Sequence, residues 1–558
     1  KETGGQTLNM YGYGDGGSGC TEEMLEMIRR FDKVSVMPKI EVTGGDAFLH
    51  KNLKDNTNLA TWDGELYLEM HRGTFTTKSN LKKANRTLEF KLRETELRAA
   101  LASLTGTSYP SEELTECYKK FLLNQFHDIL PGSHIHPVYE DAMNDYRSVS
   151  ERLDAMLALT AGNEYFNSLN FTRSSITFIE DENGAITRHG VKGFWSIPTL
   201  AGLSTGTVAA LPSKENWLST EFCDKCDCLV LETPYYRAKL SSDGSFVSLY
   251  DKELDREWVK EGCGFNKLHL YADNPGVYDA WDILPNYKDV QVALNVDKPL
   301  ALVSSDGSSA EFAVTFTTEK STWKMILRFF ADSRAIEVEN VVDWDEKHKL
   351  VKVNFGPDVL TRELVCDTSA GFVKRDLTKN TSWQQARFEV CHHKWCDMSE
   401  SGSGIAIINE GKYGVGLEKD EISLSLLRAT IRPDITSDIG HHDFCYTILP
   451  HSGDAVEAQV NKTAIEYNVP LCKSNVTVPA ALRDTLNNCG LYLQAMKRSE
   501  DGQYLILRLS EQDGRRGKIA FPFEVQTMNL IEDIEGSTKV VSYHPFELIT
   551  VAVKPEDL

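Results

Sequence analysis

The chain has 558 residues, which is enough for several domains, because single hydrophobic cores stop growing well below this length. Apolar residues make up 41% of it and charged residues 25%, which excludes a mainly disordered, collagen-like or coiled-coil protein. The net charge of −22 would repel a phosphate backbone, so nucleic acid is not an expected partner. No apolar run is long enough for a transmembrane helix, so we expect no membrane partner.

The first 35 residues have the pattern of half a βα unit. Residues 8–11 have the character of the end of a buried strand, residues 12–19 are a glycine-rich turn, and residues 21–31 are an amphipathic helix. We therefore interpret residues 1–35 as the end of an α/β domain. Asp15 stands in the glycine-rich turn, at the strand end where α/β proteins bind ligands. It either contacts a ligand there or caps the helix.

Residues 36–165 are predicted to form a three-helix bundle. Apolar residues recur at i, i+3 and i+4 spacing in three stripes, which indicates three amphipathic helices with short links. We expect the second helix to begin at Ser111 and to end at Pro131 and Gly132, and the third to begin after Pro137. The predicted inner faces carry Leu81, Ala84, Leu88, Leu92, Thr95 and Ala99; Leu114, Tyr118, Phe121, Leu122 and Phe126; and Val138, Tyr146, Val149, Leu153 and Met156.

Two candidate site residues stand near the predicted end of the second helix. His127 can ligate a metal, and the adjacent Asp128 can bind the same metal or a sugar hydroxyl. His134 and His136 follow closely and could add further imidazole ligands. A histidine that caps the helix or packs in the core is the alternative explanation of this pattern.

From about residue 166 onward, short runs of alternating β-branched and aromatic residues predict large antiparallel β-sandwich domains. We divide this region into a β-sandwich domain at 166–370, its continuation at 371–475 and a C-terminal β domain at 476–558. The group formed by Cys223, Cys226 and Cys228 lacks the further ligands of a zinc site, so reduced thiols are expected there.

An aromatic residue between carboxylates stands in a predicted loop of the β region. Trp281 can stack on the C–H face of a sugar ring, while Asp279 and Asp282 can accept hydrogen bonds from sugar hydroxyls. A solvated turn with one packed tryptophan explains these residues equally well.

Together these segments resemble glycoside hydrolase family 38, the retaining α-mannosidases, and most closely its cytosolic/vacuolar and bacterial branch. Matches in the same order across about 440 residues are far more specific than any single motif. The matching segments are YGYGDGGSG (11–19), GELYLEMHRGTFTT (64–77), LLNQFHDILPGS (122–133), FNSLNFTR (166–173), YDAWDI (278–283), NTSWQQARFEVCHHKWCDMSE (380–400), INEGKYGVG (408–416), LSLLRATIRPD (424–434) and FCYTILPH (444–451).

The resemblance implies a zinc-dependent exo-α-mannosidase that releases terminal mannose from oligosaccharides with retention. Such a reaction uses a nucleophilic carboxylate and an acid/base carboxylate. By the resemblance, Asp15 is the acid/base, His127 binds zinc and Asp128 binds substrate. Less directly, the resemblance places in the pocket His71, Arg72, Asp279, Trp281 and Asp282.

The sequence also departs from the family pattern. The family's other zinc ligands and its nucleophile lie in an upstream segment, and the H-x-D-x-x-W pattern of that segment is absent here. We therefore expect this chain to be the C-terminal part of the enzyme, with the upstream N-terminal part as its partner and a homo-oligomer as a further possibility. A cytoplasmic location is expected, with a vacuolar or lysosomal one as the alternative.

Two other functions stay open from the sequence. One is the hydrolysis of a different α-mannoside, such as mannosylglycerate, since the site for the leaving group cannot be identified from these motifs. The other is a non-catalytic, carbohydrate-binding β-sandwich protein related to the enzyme.

Overall fold

The computed structural model describes residues 7–14, 19–55 and 61–558. It divides into two compact units, Lys1–Leu68 and Glu69–Leu558. None of the described helices is both long and apolar enough to cross a membrane. The helices are α1 (Glu22–Phe31), α2 (Gly45–Asp55), α3 (Ser79–Ser103), α4 (Ser111–Leu123), α5 (His136–Ala158), α6 (Ser382–Ala386), α7 (Val460–Asn468) and α8 (Ala480–Leu486).

The predicted N-terminal helix is present as α1, and its cap is Thr21. The Thr21 side chain accepts a 3.2 Å hydrogen bond from the backbone N–H of Met24, which satisfies one free donor of the first turn. Acidic residues in the first turn and arginines in the last turn complement the helix dipole. Asp15, for which capping was the alternative role, lies outside the described residues.

The strand predicted at residues 8–11 is not formed. These residues have no regular secondary structure, and their side chains are exposed. A strand needs neighbouring strands to satisfy its backbone groups, and no described residue of the unit Lys1–Leu68 forms one. The apolar pattern was therefore insufficient to specify a strand on its own.

The three-helix bundle is confirmed by α3, α4 and α5. Its core combines one face of each helix, in a cluster of Leu81, Leu88, Leu92, Leu114, Cys117, Phe121, Ala142, Tyr146, Val149 and Leu153. The prediction was wrong for the end of the second helix, because α4 ends at Leu123, well before Pro131. Leu122 and Phe126 are accordingly exposed rather than part of the inner face.

The region after the bundle is built from antiparallel strands. The first ten are β1 (Glu164–Asn167), β2 (Thr177–Glu180), β3 (Ile186–Arg188), β4 (Val191–Ser196), β5 (Ser204–Gly206), β6 (Ser219–Cys223), β7 (Cys228–Glu232), β8 (Tyr236–Leu240), β9 (Phe246–Asp251) and β10 (Arg256–Glu257). Strands β6–β10 form a five-stranded meander. At its edge Cys226 and Cys228 form a disulfide, while Cys223 is free. The expectation of three reduced thiols was therefore wrong, because the turn that joins β6 and β7 brings the sulfur atoms of Cys226 and Cys228 together.

Two large sheets follow and pack against each other. Their strands are β11 (Phe265–Ala272), β12 (Gln291–Val292), β13 (Asn295–Ser305), β14 (Ser309–Thr317), β15 (Thr322–Phe330), β16 (Ile336–Trp344), β17 (Lys349–Phe355), β18 (Glu363–Thr368), β19 (Gly371–Asp376), β20 (Glu389–Cys391), β21 (Trp395–Glu400), β22 (Ser403–Asn409), β23 (Gly414–Leu417), β24 (Ile422–Ala429) and β25 (Gly440–Ser452).

The nine-stranded sheet has the order β13-β14-β15-β16-β25-β22-β21-β18-β19, and the six-stranded sheet has the order β12-β11-β17-β24-β23-β20. Phe355 of the six-stranded sheet meets Tyr446 of the nine-stranded sheet edge to face, with ring centroids 5.9 Å apart. The predicted β-sandwich architecture is thus confirmed, and the nine-stranded sheet takes strands from both sides of residue 370. The domain boundaries at 370 and 475 stay predictions.

The C-terminal sheet shares its core with the first helix of the bundle. Its strands are β26 (Cys472–Ser474), which pairs with β1, and β27 (Tyr492–Arg498), β28 (Leu505–Ser510), β29 (Gly517–Met528), β30 (Ile534–Tyr543) and β31 (Leu548–Val553), which form one five-stranded sheet. Leu97 and Leu101 of α3 pack into the same cluster as Leu507 and Val551. Because α3 packs on both the bundle and this sheet, it fixes the two parts relative to each other.

Candidate functional site

The predicted His127–Asp128 pair lies in a turn directly after α4. The helix ends where the Asn124 side-chain amide donates a 2.9 Å hydrogen bond back to the Lys120 carbonyl. The turn that follows leaves the His127 side chain 77% exposed, with its ring 4.3 Å from that of Phe126. His127 Nε2 lies 3.5 Å from Asp128 Oδ2, so both side chains present polar atoms to the same exposed position.

This pair fits a metal as part of a ligand set. An exposed imidazole beside a carboxylate suits zinc, but a catalytic zinc normally has three or four protein ligands. Within the part of the chain that the structure describes, no third histidine, cysteine or acidic side chain completes a group with His127 and Asp128. The described residues therefore offer at most two ligands for a metal at this position.

The two other histidines of this segment have structural contacts instead. His134 is buried, its Nδ1 lies 3.1 Å from the Ile135 carbonyl oxygen, and burial lowers its pKa. His136 Nδ1 lies 3.0 Å from Asp434 Oδ2. The suggestion that they extend the ligand set of His127 was wrong for the described structure: the turn between α4 and α5 directs the three rings to different surroundings.

The second group of predicted residues begins at a short 3₁₀ turn. His71 precedes this turn in a left-handed conformation, with φ of 60°, and its side chain is exposed. Arg72 is buried: its guanidinium donates a 2.8 Å hydrogen bond to the Ala386 carbonyl and lies 4.5 Å from the centroid of the Phe388 ring. These contacts make Arg72 an anchor of the turn, whereas His71 is free to meet a ligand.

The predicted loop residues 279–282 pack directly on this turn. The backbone N–H of Arg72 donates to Asp282 Oδ1 at 3.3 Å, and that of Gly73 donates to the Trp281 carbonyl at 2.9 Å. Trp281 and Asp282 are half-buried. The structure thus brings together two groups that are about 210 residues apart in sequence.

Asp279 is fully buried and holds the loop to the chain after β24. Its Oδ2 accepts a 2.6 Å hydrogen bond from the backbone N–H of Ile431 and lies 3.1 Å from His348 Nε2. Its position is that of a residue that fixes the loop rather than one that meets solvent.

Arg428, which we did not predict, joins the turn and the loop. It is fully buried, donates a 3.1 Å hydrogen bond to Thr77 Oγ1 and a 3.2 Å bond to the Ala280 carbonyl, and is paired with Asp273. Gly73 is needed beside it, because a Cβ atom there would lie 2.2 Å from Arg428 Nη1. In the sequence, Arg428 was marked only by its place in the segment LLRATIRPD, which matches the family, and that segment does not indicate which residues it contacts.

The segment after the 3₁₀ turn also contacts the His127–Asp128 turn. Lys82 Nζ donates to the Leu130 carbonyl at 2.9 Å and to the Pro131 carbonyl at 3.2 Å. Asp434 pairs with Lys78 and His136; burial opposes its ionisation, yet the hydrogen bonds from Lys78 and Thr436 prevail and hold its pKa well below the usual range. Four segments therefore converge here: 71–82, 127–136, 279–282 and 431–438.

Comparisons with known proteins place this arrangement in a family. The α-mannosidase middle domain matches residues 69–162, the glycosyl hydrolases family 38 C-terminal domain matches 231–436, and the glycosyl hydrolases family 38 C-terminal β-sandwich domain matches 490–551. The first of these contains His127, and the second contains Asp279 and Arg428.

Two relatives and one solved structure extend the comparison. The chain is 30% identical over 532 residues to alpha-mannosidase 2C1 of Homo sapiens, covering 90% of this chain and 50% of that protein. It is 31% identical over 497 residues to alpha-mannosidase of Saccharomyces cerevisiae, covering 83% of this chain and 43% of that protein. The chain thus spans about half the length of these relatives.

An alpha-mannosidase from Enterococcus faecalis has the same fold. The TM-score is 0.70 at 13% identity, and the match covers 96% of this chain and 75% of that one. At this identity the likeness is one of fold.

Proposed function

Because the chain belongs to glycoside hydrolase family 38, whose middle, C-terminal and C-terminal β-sandwich domains it carries, we propose that it forms those parts of a retaining, zinc-dependent exo-α-mannosidase. The substrate is terminal α-linked mannose on an oligosaccharide. The observation that carries the proposal is the exposed His127–Asp128 pair in the segment matched by the middle domain. A cytoplasmic location accompanies this proposal as a prediction.

Within the proposed site, His127 and Asp128 have different roles. The exposed imidazole of His127 would be one ligand of the zinc ion. Ser133 holds Asp128 Oδ1 by a 2.6 Å hydrogen bond, which leaves Oδ2 to accept a hydrogen bond from a mannose hydroxyl. Zinc, when bound, acts as a Lewis acid on the oxygen atoms it contacts.

Asp15 is proposed as the acid/base. A retaining mechanism needs a proton donor to the glycosidic oxygen, and the same carboxylate then takes a proton from the attacking water. The glycines around Asp15 let the backbone approach a ligand closely. The nucleophile and the remaining zinc ligands are proposed to come from the N-terminal part of the enzyme, because the family pattern that carries them does not occur in this sequence.

The surroundings of His127 support this partner. Four apolar side chains on α4 and on the connection that follows it, which also carries His127, are more than half exposed: Leu122, Leu123, Phe126 and Ile135. Clustered exposed apolar residues mark interaction surfaces, because burying them releases free energy. We propose that the N-terminal part of the enzyme covers them and brings its own ligands to His127.

The loop 279–282 and the 3₁₀ turn are proposed to line the sugar pocket. His71, Trp281 and Asp282 keep exposed surface and would contact the sugar. Arg72 and Asp279 are buried and would hold these three in place.

The test is hydrolysis of p-nitrophenyl α-mannoside by the protein expressed from the complete source reading frame, with and without a zinc chelator. We expect chelator-sensitive release of p-nitrophenol, and an α-anomeric first product by NMR. If the folded, zinc-supplied protein hydrolyses no α-mannoside but binds mannosides, the non-catalytic carbohydrate-binding function replaces this proposal. Activity confined to mannosylglycerate would replace the oligosaccharide as substrate.

A further inference from the structure

A half-buried histidine projects from a tight hairpin onto the nine-stranded sheet. His189 and Gly190 form the two-residue connection between β3 and β4, with φ of 49° and 75°. Positive φ at both positions is the requirement of a type I′ turn, whose twist matches that of the flanking strands. The turn fixes the direction of the His189 side chain, which is only 13% exposed.

Three potential metal ligands meet at this point. His189 Nε2 lies 2.9 Å from Glu410 Oε1 and 3.3 Å from Cys445 Sγ, and the three ligand atoms lie within 4.8 Å of one another. We call these residues the His189 cluster. In a tetrahedral zinc site with bonds of about 2.0–2.3 Å, ligand atoms are separated by roughly 3.3–3.7 Å. The Nε2–Oε1 separation of 2.9 Å is shorter than this range and the Nε2–Sγ separation of 3.3 Å lies at its lower end, so a small outward movement of Glu410 would admit the ion.

The imidazole has carboxylates at both nitrogens. Nε2 faces Glu410, while Nδ1 lies 3.2 Å from Asp443 Oδ2, is buried, and makes no hydrogen bond. A neutral imidazole has only one N–H, so it cannot donate to both carboxylates. A cation bound at Nε2 resolves this conflict, because the ring then keeps its proton on Nδ1 and donates it to Asp443. A carboxylate behind a metal-bound histidine is a common arrangement.

The surrounding charges favour a cation. Glu410 Oε2 is paired with Arg188, and that arginine belongs to a network that continues across the sheet. Among the described residues, the ion pairs that connect to the cluster join five carboxylates to three basic side chains, namely Glu311, Glu337, Glu339, Glu410 and Asp443 with Lys83, Arg188 and Arg328. In a largely buried network, such an excess of negative charge attracts a divalent ion.

We propose that His189, Glu410 and Cys445 bind a zinc ion, with water as the fourth ligand, and that this ion fastens the β3–β4 hairpin to the nine-stranded sheet. Nitrogen, oxygen and thiolate donors together suit zinc. Binding releases the Cys445 thiol proton to solvent, and Nε2 ligates as the neutral Nδ1–H tautomer. This zinc shares no residue with the proposed catalytic site.

Cobalt substitution in the complete protein tests the proposal, because a thiolate ligand gives Co²⁺ a near-ultraviolet charge-transfer band. The proposed catalytic donors include no thiolate, so the band reports on the His189 cluster alone. We expect the band in the wild type and in His127→Ala, and its loss in Cys445→Ser. Cys396→Ser is the matched control, since Cys396 is an equally buried free cysteine on the same sheet; its variant is expected to keep the band.

Zinc content by mass spectrometry completes the test. The wild type is expected to carry one more zinc per chain than Cys445→Ser. Glu410→Gln, which keeps the size of the side chain, is expected to lose the same ion and serves if Cys445→Ser does not fold. A band that persists in Cys445→Ser, or a wild type whose whole metal content disappears in His127→Ala, would overturn the proposal.

Discussion

Ser133 donates a 2.6 Å hydrogen bond from its hydroxyl to Oδ1 of Asp128, and its backbone N–H donates a 3.1 Å bond to the Asp128 carbonyl. These two bonds close the turn that carries His127, so the direction of the Asp128 carboxylate is set by a residue with no proposed contact to the substrate. Ser133 is itself buried. The turn is therefore held in place before any ligand arrives.

Replacing Ser133 with alanine should release the Asp128 carboxylate. A hydrogen bond to a charged group contributes about 1.5–3 kcal/mol, and about 1.4 kcal/mol corresponds to a factor of ten. We expect kcat/KM for p-nitrophenyl α-mannoside to fall by roughly tenfold in Ser133→Ala, because the carboxylate loses its fixed direction. Ser150→Ala, which removes a hydroxyl bonded to Lys91 on α3, should leave kcat/KM unchanged. Equal kinetics in wild type and Ser133→Ala would show that Asp128 is held by other contacts.

Variants of His127 and His136 should affect different properties: the first should affect metal binding and the second stability. His127 is exposed, so His127→Ala should lower zinc content and activity together while the melting temperature stays near that of the wild type. His136 contacts buried Asp434, so His136→Ala should lower the melting temperature and keep the zinc. Zinc analysis and calorimetry on both variants give the comparison. Full zinc occupancy in His127→Ala would remove His127 from the ligand set.

Asp15→Asn should affect the chemistry and spare the metal. Loss of a general acid/base typically lowers turnover by about 10²–10⁴-fold. We expect kcat of Asp15→Asn to fall by this factor, because the amide cannot transfer the proton. The zinc content should stay unchanged. Asp46→Asn, at an acidic position in the first turn of α2, is the control and should retain wild-type turnover. Full activity in Asp15→Asn would assign the acid/base role to another carboxylate.

Gly73 and Arg428 offer a test of the packing behind the pocket loop. A Cβ at residue 73 would lie 3.0 Å from the Asp282 carbonyl oxygen and closer still to the Arg428 guanidinium. Because both are held in a buried network, we expect Gly73→Ala to destabilise the protein by about 1–3 kcal/mol and to raise KM by moving the loop. Denaturant unfolding and steady-state kinetics measure the two effects. Gly14→Ala meets nothing within 4 Å and should leave stability unchanged; equal stability of the two variants would show that the loop can relax.

The helices show what local sequence determined. The bundle followed from apolar spacing, and α5 begins at His136, within two residues of the start expected after Pro137, because spacing and proline act within a few residues. The strand at residues 8–11 failed for the opposite reason, since a strand depends on partners that lie elsewhere. Likewise α4 ends at Leu123, and its C-cap residue Asn124 donates a side-chain hydrogen bond to the preceding turn, well ahead of Pro131.

The candidate site shows the same division. The motifs indicated that His127, Asp128 and Trp281 are residue types suited to binding a metal or a sugar. The family resemblance implied that they belong to one site. The role of Arg428 could not be inferred, because its bond to Thr77 spans 351 residues and neither residue's segment indicates the other as its partner. Long-range contacts of this kind are set by the packing of whole sheets.

The acid stability of the sheet core should depend on His392. Its Nδ1 lies 3.1 Å from the Tyr413 carbonyl and its Nε2 accepts a 2.9 Å bond from Asn409 Nδ2, so the neutral ring is fully paired. Burial, with a smaller effect from the charge of Arg375, lowers the pKa of His392 to about 3 from 6.5. Between these pH values the unfolded chain binds a proton that the folded chain does not, so stability falls as pH falls, by up to about 1.4 kcal/mol per pH unit. The free energy of unfolding, measured with urea from pH 7 to pH 4, should depend less steeply on pH in His392→Gln than in the wild type, by about one proton. Identical slopes in the two proteins would mean that His392 is already protonated in the folded state.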